Sequence, residues 1–294
     1  MFRYVFLPFF VSFLLWALGG CVSLTGGKRP GVAIPDRPSS AVSGSEFARK
    51  IDRYSVGQRE LAILEELKKG NVPDFLRDFV PVALKGKRGI KATVWVAPDY
   101  LAIGNDSDFV RFPMNPITAQ RVADQFKCVL PTKKLVDIIY RSADVKLSPS
   151  TLRPDKSMVQ TSQWLKHHQL IEAKMHQSDH GRLVAGHKKD VVISNRLRQN
   201  RARVAIYGWH RKSGKAIQPL STIHGNHYAD YSHGIRLIAS LMQVNGKWVQ
   251  VSEVLSDPEL VHLLSDEGPI RQYRYETEGV KVRTDWAFLD VSCS

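Results

Sequence analysis

The sequence is poor in cysteine and in long apolar runs. Only three of its 294 residues are cysteines, and it has no HExxH or HxH motif of the kind found in zinc peptidases. The apolar run at residues 5–18 is shorter than the ~20 residues that a membrane-spanning helix needs. No internal repeat is visible. These absences argue against a membrane span at this run, a repeat array and a zinc peptidase with the usual motifs.

The N-terminus instead has the pattern of a secretory signal. Arg3 supplies a short basic region, and residues 5–18 have the size of a signal-peptide apolar core. The segment LGGC, which ends at Cys21, resembles the bacterial lipobox. This resemblance implies removal of residues 1–20, acylation of Cys21 and stable membrane anchoring. Val22 in the next position implies the outer membrane, facing the periplasm, in a Gram-negative host. Ordinary secretory cleavage with an incidental Cys21 is the alternative.

Two cysteines remain if Cys21 carries lipid. An oxidising compartment permits a disulfide between Cys128 and Cys293, although their spacing does not establish that their Cα atoms are close. Neither lies in a polar motif, so neither is a candidate nucleophile.

The charge is strongly basic, with 42 Lys and Arg against 28 Asp and Glu, and a formal net charge of +14. In a cytosolic protein this charge would suggest nucleic acid. Export makes nucleic acid an unexpected partner and favours peptidoglycan or another anionic polymer of the cell envelope. A basic surface without a specific partner is the alternative.

Residue patterning predicts an α+β fold, with N-terminal helices packed on a mainly antiparallel C-terminal sheet. Residues 21–45 are rich in Gly, Ser and Pro and are expected to form a flexible tether after the lipidated cysteine. Residues 46–294 are expected to form a single domain, and a split near residue 150 is the alternative.

Local signals place several elements within that domain. One helix is expected over residues 46–69, and two others follow the candidate N-caps Thr118 and Thr132. The Asn245-Gly246 pair predicts a hairpin turn, whereas residues 235–242 fit either a strand or a helix.

Residues 223–237 are the densest polar segment of the chain. They contain three histidines, one aspartate, one serine and one arginine, and nine of the ten histidines lie between His167 and His233. Polar side chains are rarely this dense in a segment that serves packing alone. The segment is therefore predicted to form the functional surface, together with residues 187–190 and His210.

Two parts of this segment, IHG at residues 223–225 and SHGIRL at residues 232–237, resemble the HG and SHG elements of the L,D-transpeptidase (YkuD-type) family. That family modifies peptidoglycan through a cysteine thioester, so the resemblance implies a peptidoglycan substrate. The family's cysteine follows SHG, whereas Ile235 stands there in this chain, and the gap between the two elements is shorter. The cysteine mechanism is therefore not carried over. The stretches HKKD, YGWH and DYSHG also resemble uncharacterised secreted bacterial proteins, which implies no activity.

Acyl transfer by a serine is one hypothesis for the segment. Ser232 would be the nucleophile, His224 or His210 the base, and Asp230 the group that orients the base. His233 is a further candidate, although neighbours on a strand point to opposite faces. The catalytic candidates are thus His210, His224, Asp230, Ser232 and His233.

A zinc hydrolase is the second hypothesis. A catalytic zinc takes three protein ligands and keeps one open position, and His187, Asp190 and His210 offer suitable atoms. Zinc is the only cofactor that the sequence suggests.

Binding without catalysis is the third hypothesis. Aromatic rings would stack on sugars, and basic groups would meet anions, including a stem-peptide carboxylate at Arg236. The substrate-binding candidates are Lys188, Lys189, Trp209, Asn226, Tyr228, Tyr231 and Arg236. Trp248 and the arginines of the loop at residues 195–203 would add to this surface.

The sequence therefore predicts a cell-envelope lipoprotein that acts on peptidoglycan, as a hydrolase or transferase, through a histidine-rich site. A non-catalytic lipoprotein that binds peptidoglycan or another glycan, or is structural, is the alternative.

Overall fold

The computed structural model describes residues 30–277. The signal peptide, the lipobox with Cys21, and Cys293 lie outside the described residues. Cys128, the other half of the predicted disulfide, is buried, and its thiol donates to the carbonyl of Phe126 at 3.4 Å. Within residues 30–277, no helix is both long and apolar enough to cross a membrane.

The described chain combines short helices and short strands, and the predicted α+β class is confirmed. The α-helices are α1 (Gly44–Ile51), α2 (Val56–Lys68), α3 (Pro116–Gln125), α4 (Lys133–Ser142), α5 (Thr161–Glu172) and α6 (Val251–Ser256). The strands are β1 (Val80–Lys85), β2 (Lys91–Val96), β3 (Ile103–Gly104), β4 (Phe109–Val110), β5 (Cys128–Val129), β6 (Val145–Lys146), β7 (Val184–Ala185), β8 (Lys189–Val192), β9 (Ala205–His210), β10 (Ala216–Ser221), β11 (His233–Gly234), β12 (Ile238–Val244) and β13 (Lys247–Gln250). Short 3-10 helices lie at Asp74–Leu76, Lys87–Gly89, Lys156–Val159, Gln177–Asp179, Asn195–Arg198 and Val261–Leu263.

Two sheets organise the molecule. The first is antiparallel, in the order β1-β2-β12-β13, and β5 pairs with another part of β12. The second has the order β10-β9-β8-β11, with β11 parallel to β8 and the other pairs antiparallel. The main apolar core contains residues from Ile34 to Tyr275, on both sides of residue 150, and a second small cluster contains Leu147, Ile171 and Val184.

Capping side chains explain where the helices begin. Residues 46–69 form two helices instead of the predicted one, because Ser55 starts α2 with a capping box in which Ser55 and Gln58 exchange hydrogen bonds. The predicted N-cap Thr132 is confirmed, since its hydroxyl accepts from Leu135 N at 3.1 Å. Helix α3 begins earlier than predicted, after Asn115, whose side chain accepts from the Thr118 amide.

The predicted hairpin at Asn245-Gly246 is confirmed. Both turn residues have positive φ, 48° and 80°, and they connect β12 to β13. The ambiguous residues 235–242 lead into β12 and not into a helix, because β12 has strand partners on both sides.

Residues 30–43 differ from the expected free tether. Ile34 is 8% exposed, and the Ala33 amide donates to the carbonyl of Phe126 at 2.9 Å. The Arg37 guanidinium donates to Asn71 Oδ1 and to the Gly104 carbonyl. These contacts attach the second half of the predicted tether to the domain.

Candidate functional site

The second sheet brings the three predicted polar pieces together. His233 and Gly234 of β11 lie beside Lys189 and Asp190 of β8, and β8 pairs with β9, which ends at His210. Convergence of these pieces, expected from their composition, is therefore observed. Their side chains nevertheless have different partners.

Gly234 allows Tyr100 to lie directly against the backbone of β11. A Cβ atom at residue 234 would lie 2.5 Å from Tyr100 Cδ1, so a larger residue does not fit. The Tyr100 hydroxyl donates to Asp190 Oδ2 at 2.8 Å. Burial raises the pKa of Asp190 to about 6, although Arg236 and this hydrogen bond act in the opposite direction.

His187 belongs to a buried ion network. Its Nε2 lies 3.0 Å from Asp99 Oδ1, and Asp99 Oδ2 accepts from Arg111 Nη2 at 2.5 Å. Arg111 also donates to Glu172 at 2.6 Å. Burial by itself would raise the pKa of Asp99, but Arg111 and His187 outweigh it and hold this pKa well below its usual range. Burial lowers the pKa of His187 to about 4 despite the contact with Asp99.

His210 is attached to helix α4 and not to this network. Its Nε2 lies 3.0 Å from Asp137 Oδ1, which also accepts from the Tyr207 hydroxyl at 2.7 Å. The Tyr140 ring stacks on the imidazole at a centroid distance of 4.4 Å.

The three predicted zinc ligands therefore do not converge on one point within the described chain. His187, Asp190 and His210 are directed to Asp99, Tyr100 and Asp137, respectively. No group of three or more His, Cys, Asp or Glu side chains in residues 30–277 is arranged to hold a metal ion.

The serine site does not form either. Ser232 is fully buried, and its hydroxyl donates to Asp230 Oδ1 at 2.5 Å, not to an imidazole. His233 is also fully buried, and neither ring nitrogen has a hydrogen-bond partner among the described residues. Asp230 Oδ2 lies 4.0 Å from His233 Nε2, too far for a hydrogen bond. Asp230 thus orders the turn and does not orient a base.

Four of the predicted binding residues have structural roles as well: Lys188, Trp209, Tyr231 and Arg236. Arg236 is fully buried, donates to the carbonyls of Ala97 and Val184, and lies 4.2 Å from the centre of the Tyr100 ring. The Lys188 ammonium donates to the carbonyl of Tyr231 at 2.8 Å, and burial lowers its pKa to about 7.

The two aromatic members of this group, Trp209 and Tyr231, are buried too. The indole of Trp209 donates to the carbonyl of His187 at 3.1 Å, and the Tyr231 hydroxyl accepts from the Leu152 amide at 2.9 Å. Neither ring is therefore available for stacking on a sugar.

A smaller group remains accessible, and we call it the recognition face. All its members are at least partly exposed: Lys189, Arg203, Ile223, His224, Asn226 and Tyr228. Ile223 is 76% exposed, the highest value among the exposed large apolar side chains of the described chain. The rings of His224 and Tyr228 stack at a centroid distance of 4.2 Å and an angle of 15°.

Backbone pairing holds this face to the arginine-rich loop at residues 195–203. The Val204 amide donates to the carbonyl of His224 at 3.0 Å, and the Asn226 amide to the carbonyl of Ala202 at 2.9 Å. Arg203 consequently lies opposite Gly225, which has no side chain to cover it. Burial lowers the pKa of His224, and the charges of Lys189 and Arg203 lower it further, against the opposite effect of Asp230.

Sequence reasoning missed Asp99, Tyr100, Arg111 and Asp137. One signal was available for Arg111, which interrupts the apolar run Phe109-Val110-Arg111-Phe112. A cation in such a run requires a buried partner, but the sequence does not identify Asp99 as that partner.

The site consists of a buried polar interior and the exposed recognition face. The predicted catalytic residues form no nucleophile–base pair, whereas the recognition face presents cationic, aromatic and apolar groups to a ligand. Comparisons with protein-family models, curated proteins and solved structures found no match to this chain.

Proposed function

We propose that this protein is an exported bacterial lipoprotein, anchored through Cys21, that binds peptidoglycan through the recognition face without catalysis. The observation that carries the proposal is the backbone pairing of residues 202–204 with residues 224–226. This pairing places Arg203, whose guanidinium donates to the carbonyl of the exposed Ile223, next to the segment that carries the stacked rings of His224 and Tyr228.

The groups on this face suit a polymer of sugars and carboxylate-bearing peptides. Aromatic faces stack on sugar rings, and a guanidinium can pair with a carboxylate through two parallel hydrogen bonds. One Arg203 Nη atom donates to the carbonyl of Ile223, which leaves other N–H groups for a ligand. Arg196, Arg198 and Arg201 lie in the same loop and are exposed. Arg201 is paired with Glu276, so Arg196 and Arg198 extend the positive charge.

The hydrolase or transferase hypothesis has less support from the same geometry. Ser232 has no imidazole partner, and the three candidate zinc ligands are directed to separate partners. Binding requires neither a nucleophile nor a metal, so it is the function that the accessible groups favour.

Co-sedimentation with isolated sacculi tests the proposal. The acylated protein in detergent should sediment with sacculi, and the double variant Arg203→Ala/Tyr228→Ala should bind about tenfold more weakly, a loss of roughly 1.4 kcal/mol. Lys68→Ala, which removes one charge from an exposed helix position, is the matched control and should bind like the wild type.

Two results would contradict the proposal. One is unchanged sacculus binding by the double variant. The other is a changed muropeptide profile after incubation of sacculi with wild-type protein, because that would reveal a reaction. The anchor is tested separately, since Cys21→Ala should release the protein from membranes.

A further inference from the structure

The first sheet has an outer face that the core does not cover. In β1 and β2 the residues alternate in burial, with Val82, Leu84, Ala92 and Val94 inside. The alternate residues point to the opposite face of the sheet, although Trp95 also packs against core residues. We call this surface the tryptophan face and define it by Lys85, Lys91, Trp95, Leu241 and Trp248.

Two indoles meet on this face. Trp95 lies on β2 and Trp248 on β13, and β12 runs between these strands. Their ring centroids are 4.9 Å apart at an angle of 34°, so the rings contact each other across β12. Both side chains remain partly exposed. Indole combines a large apolar surface with one N–H donor, which suits the boundary between lipid and water.

The same strands carry basic side chains and no acidic ones. Lys85 and Lys91 are exposed register partners of β1 and β2, and like charges placed directly opposite each other are destabilising. Lys87 and Arg88 follow in the exposed connection between these strands. Residues 79–98 and 238–250 contain no Asp or Glu. An anionic surface would therefore complement this face.

The chain also enters the described domain at this face. Leu241 pairs with Gln250, two residues along β12 from the Gln243–Trp248 pair, and therefore points to the same side. Gly31 lies against it, since a Cβ atom at residue 31 would be 3.1 Å from Leu241 Cδ1. The ten residues from Cys21 to Gly31 span at most about 35 Å when fully extended. An acyl group on Cys21 would thus keep the tryptophan face close to the bilayer.

We propose that the tryptophan face docks on the anionic bilayer surface that holds the lipid anchor. The indoles lie at the level of the headgroups, and the lysines contact lipid phosphates. This inference rests on the acylation of Cys21 in the proposed function, but it is independent of glycan binding.

Fluorescence quenching by brominated lipids tests the docking. The acylated protein is reconstituted in phosphatidylglycerol vesicles that contain lipids brominated near the headgroup. Tryptophan fluorescence should be quenched, and Trp95→Phe/Trp248→Phe should lose most of the quenching, because Trp164 and Trp209 are buried in the core. Both proteins carry Trp286→Phe, so that residue 286 contributes no fluorescence. No quenching in the wild type, or equal quenching in the double variant, would overturn the proposal.

Charge removal gives a second measurement. Lys85→Gln/Lys91→Gln should reduce the quenching on phosphatidylglycerol vesicles to about half or less, following the ~1 kcal/mol attraction of each cation to an anionic surface. It should have little effect on phosphatidylcholine vesicles. Lys68→Gln/Lys69→Gln removes the same charge from helix α2 and its C-cap and is the matched control. Equal loss in both double variants would overturn a specific role for this face.

The outcomes separate this inference from the proposed function. Absence of an acyl group on Cys21 would overturn both the anchor and the docking. Acylated protein that binds sacculi but shows no quenching would overturn the docking alone. Loss of sacculus binding in Trp95→Phe/Trp248→Phe, without quenching by lipids in the wild type, would show that the tryptophan face binds a glycan. This result would overturn docking on a bilayer.

Discussion

Ser232 Oγ donates a hydrogen bond to Asp230 Oδ1 at 2.5 Å, and both side chains are buried. The same carboxylate oxygen accepts from the Ser232 backbone amide at 2.7 Å. An aspartate that binds the chain two residues ahead is a common way to order a turn. The turn places His233 and Gly234 at the edge of β8. The Ser232–Asp230 hydrogen bond therefore has a structural role in the site.

Ser232→Ala should destabilise the protein without changing sacculus binding. The variant loses a buried hydrogen bond to a charged acceptor, which contributes about 1.5–3 kcal/mol to the free energy of unfolding. Urea denaturation measures the loss. Ser157→Ala is a matched control, because its hydroxyl binds Asp155 in the same way on the exposed surface, and its effect should be much smaller. Loss of binding at unchanged stability would refute the structural role.

Asp99→Ala should be among the most destabilising single changes. It leaves Arg111 and His187 buried without their shared carboxylate, and an uncompensated buried charge costs about 3–5 kcal/mol. Asp74→Ala removes a largely exposed carboxylate from its pair with the buried Arg77, which keeps its bonds to the carbonyls of Pro35 and Gly70, and should cost only about 0–1 kcal/mol. Comparable urea midpoints for the two variants would contradict the ion network. If Asp99→Ala does not fold, Asp99→Asn should show a smaller loss in the same direction.

The stability of the protein should fall as the solution is acidified from about pH 6.5 to pH 4. Burial lowers the pKa of His233 to about 4, whereas a histidine in the unfolded chain titrates near 6.5. The unfolded state therefore binds more protons in this window, and acid favours it by up to about 1.4 kcal/mol per pH unit. The groups that act on His233 are Asp230, Lys189, His224 and Lys188.

Urea unfolding at several pH values, with wild type and His233→Asn compared, isolates this contribution. His187, whose pKa is also lowered to about 4, acts in the same direction. Asp190 acts in the opposite direction, because its raised pKa of about 6 gives stability that is lost as the pH rises. His233→Asn should flatten the pH dependence of the wild type. Parallel curves for wild type and His233→Asn would show that the ring does not titrate as described.

Chelation should leave the thermal midpoint unchanged. His187, Asp190 and His210 each have a separate protein partner, so removal of a metal would remove no tie between them. Differential scanning calorimetry with and without EDTA measures the midpoint. Stoichiometric zinc in the wild type, lost in His210→Ala, would contradict this arrangement.

Local sequence signals were sufficient to predict several helix ends and turns. The Thr132 cap and the Asn245-Gly246 turn depend on residues next to each other in the chain, and both were predicted. The break between α1 and α2 was not predicted, although Ser55 and Gln58 carry a capping-box pattern.

The candidate site was predicted in its location but not in its roles. Polar density correctly marked residues 187–190, His210 and residues 223–237 as neighbours. Which of their side chains are buried depends on partners such as Asp99 and Asp137, which lie far away in sequence and on other elements. A list of residue types cannot distinguish a buried Arg236 bound to carbonyls from an exposed arginine that binds a ligand.

Strand β11 also has a consequence for the kinetics of folding. It has only two residues, and its neighbours Lys189 and Tyr100 come from distant parts of the chain. Such contacts require closure of long loops, so they form late. Arrival of residues 232–236 then seals the interior around Lys188, Asp190 and Arg236. Unfolding must first expose this interior. We therefore expect the detachment of residues 232–236 to control the rate of unfolding.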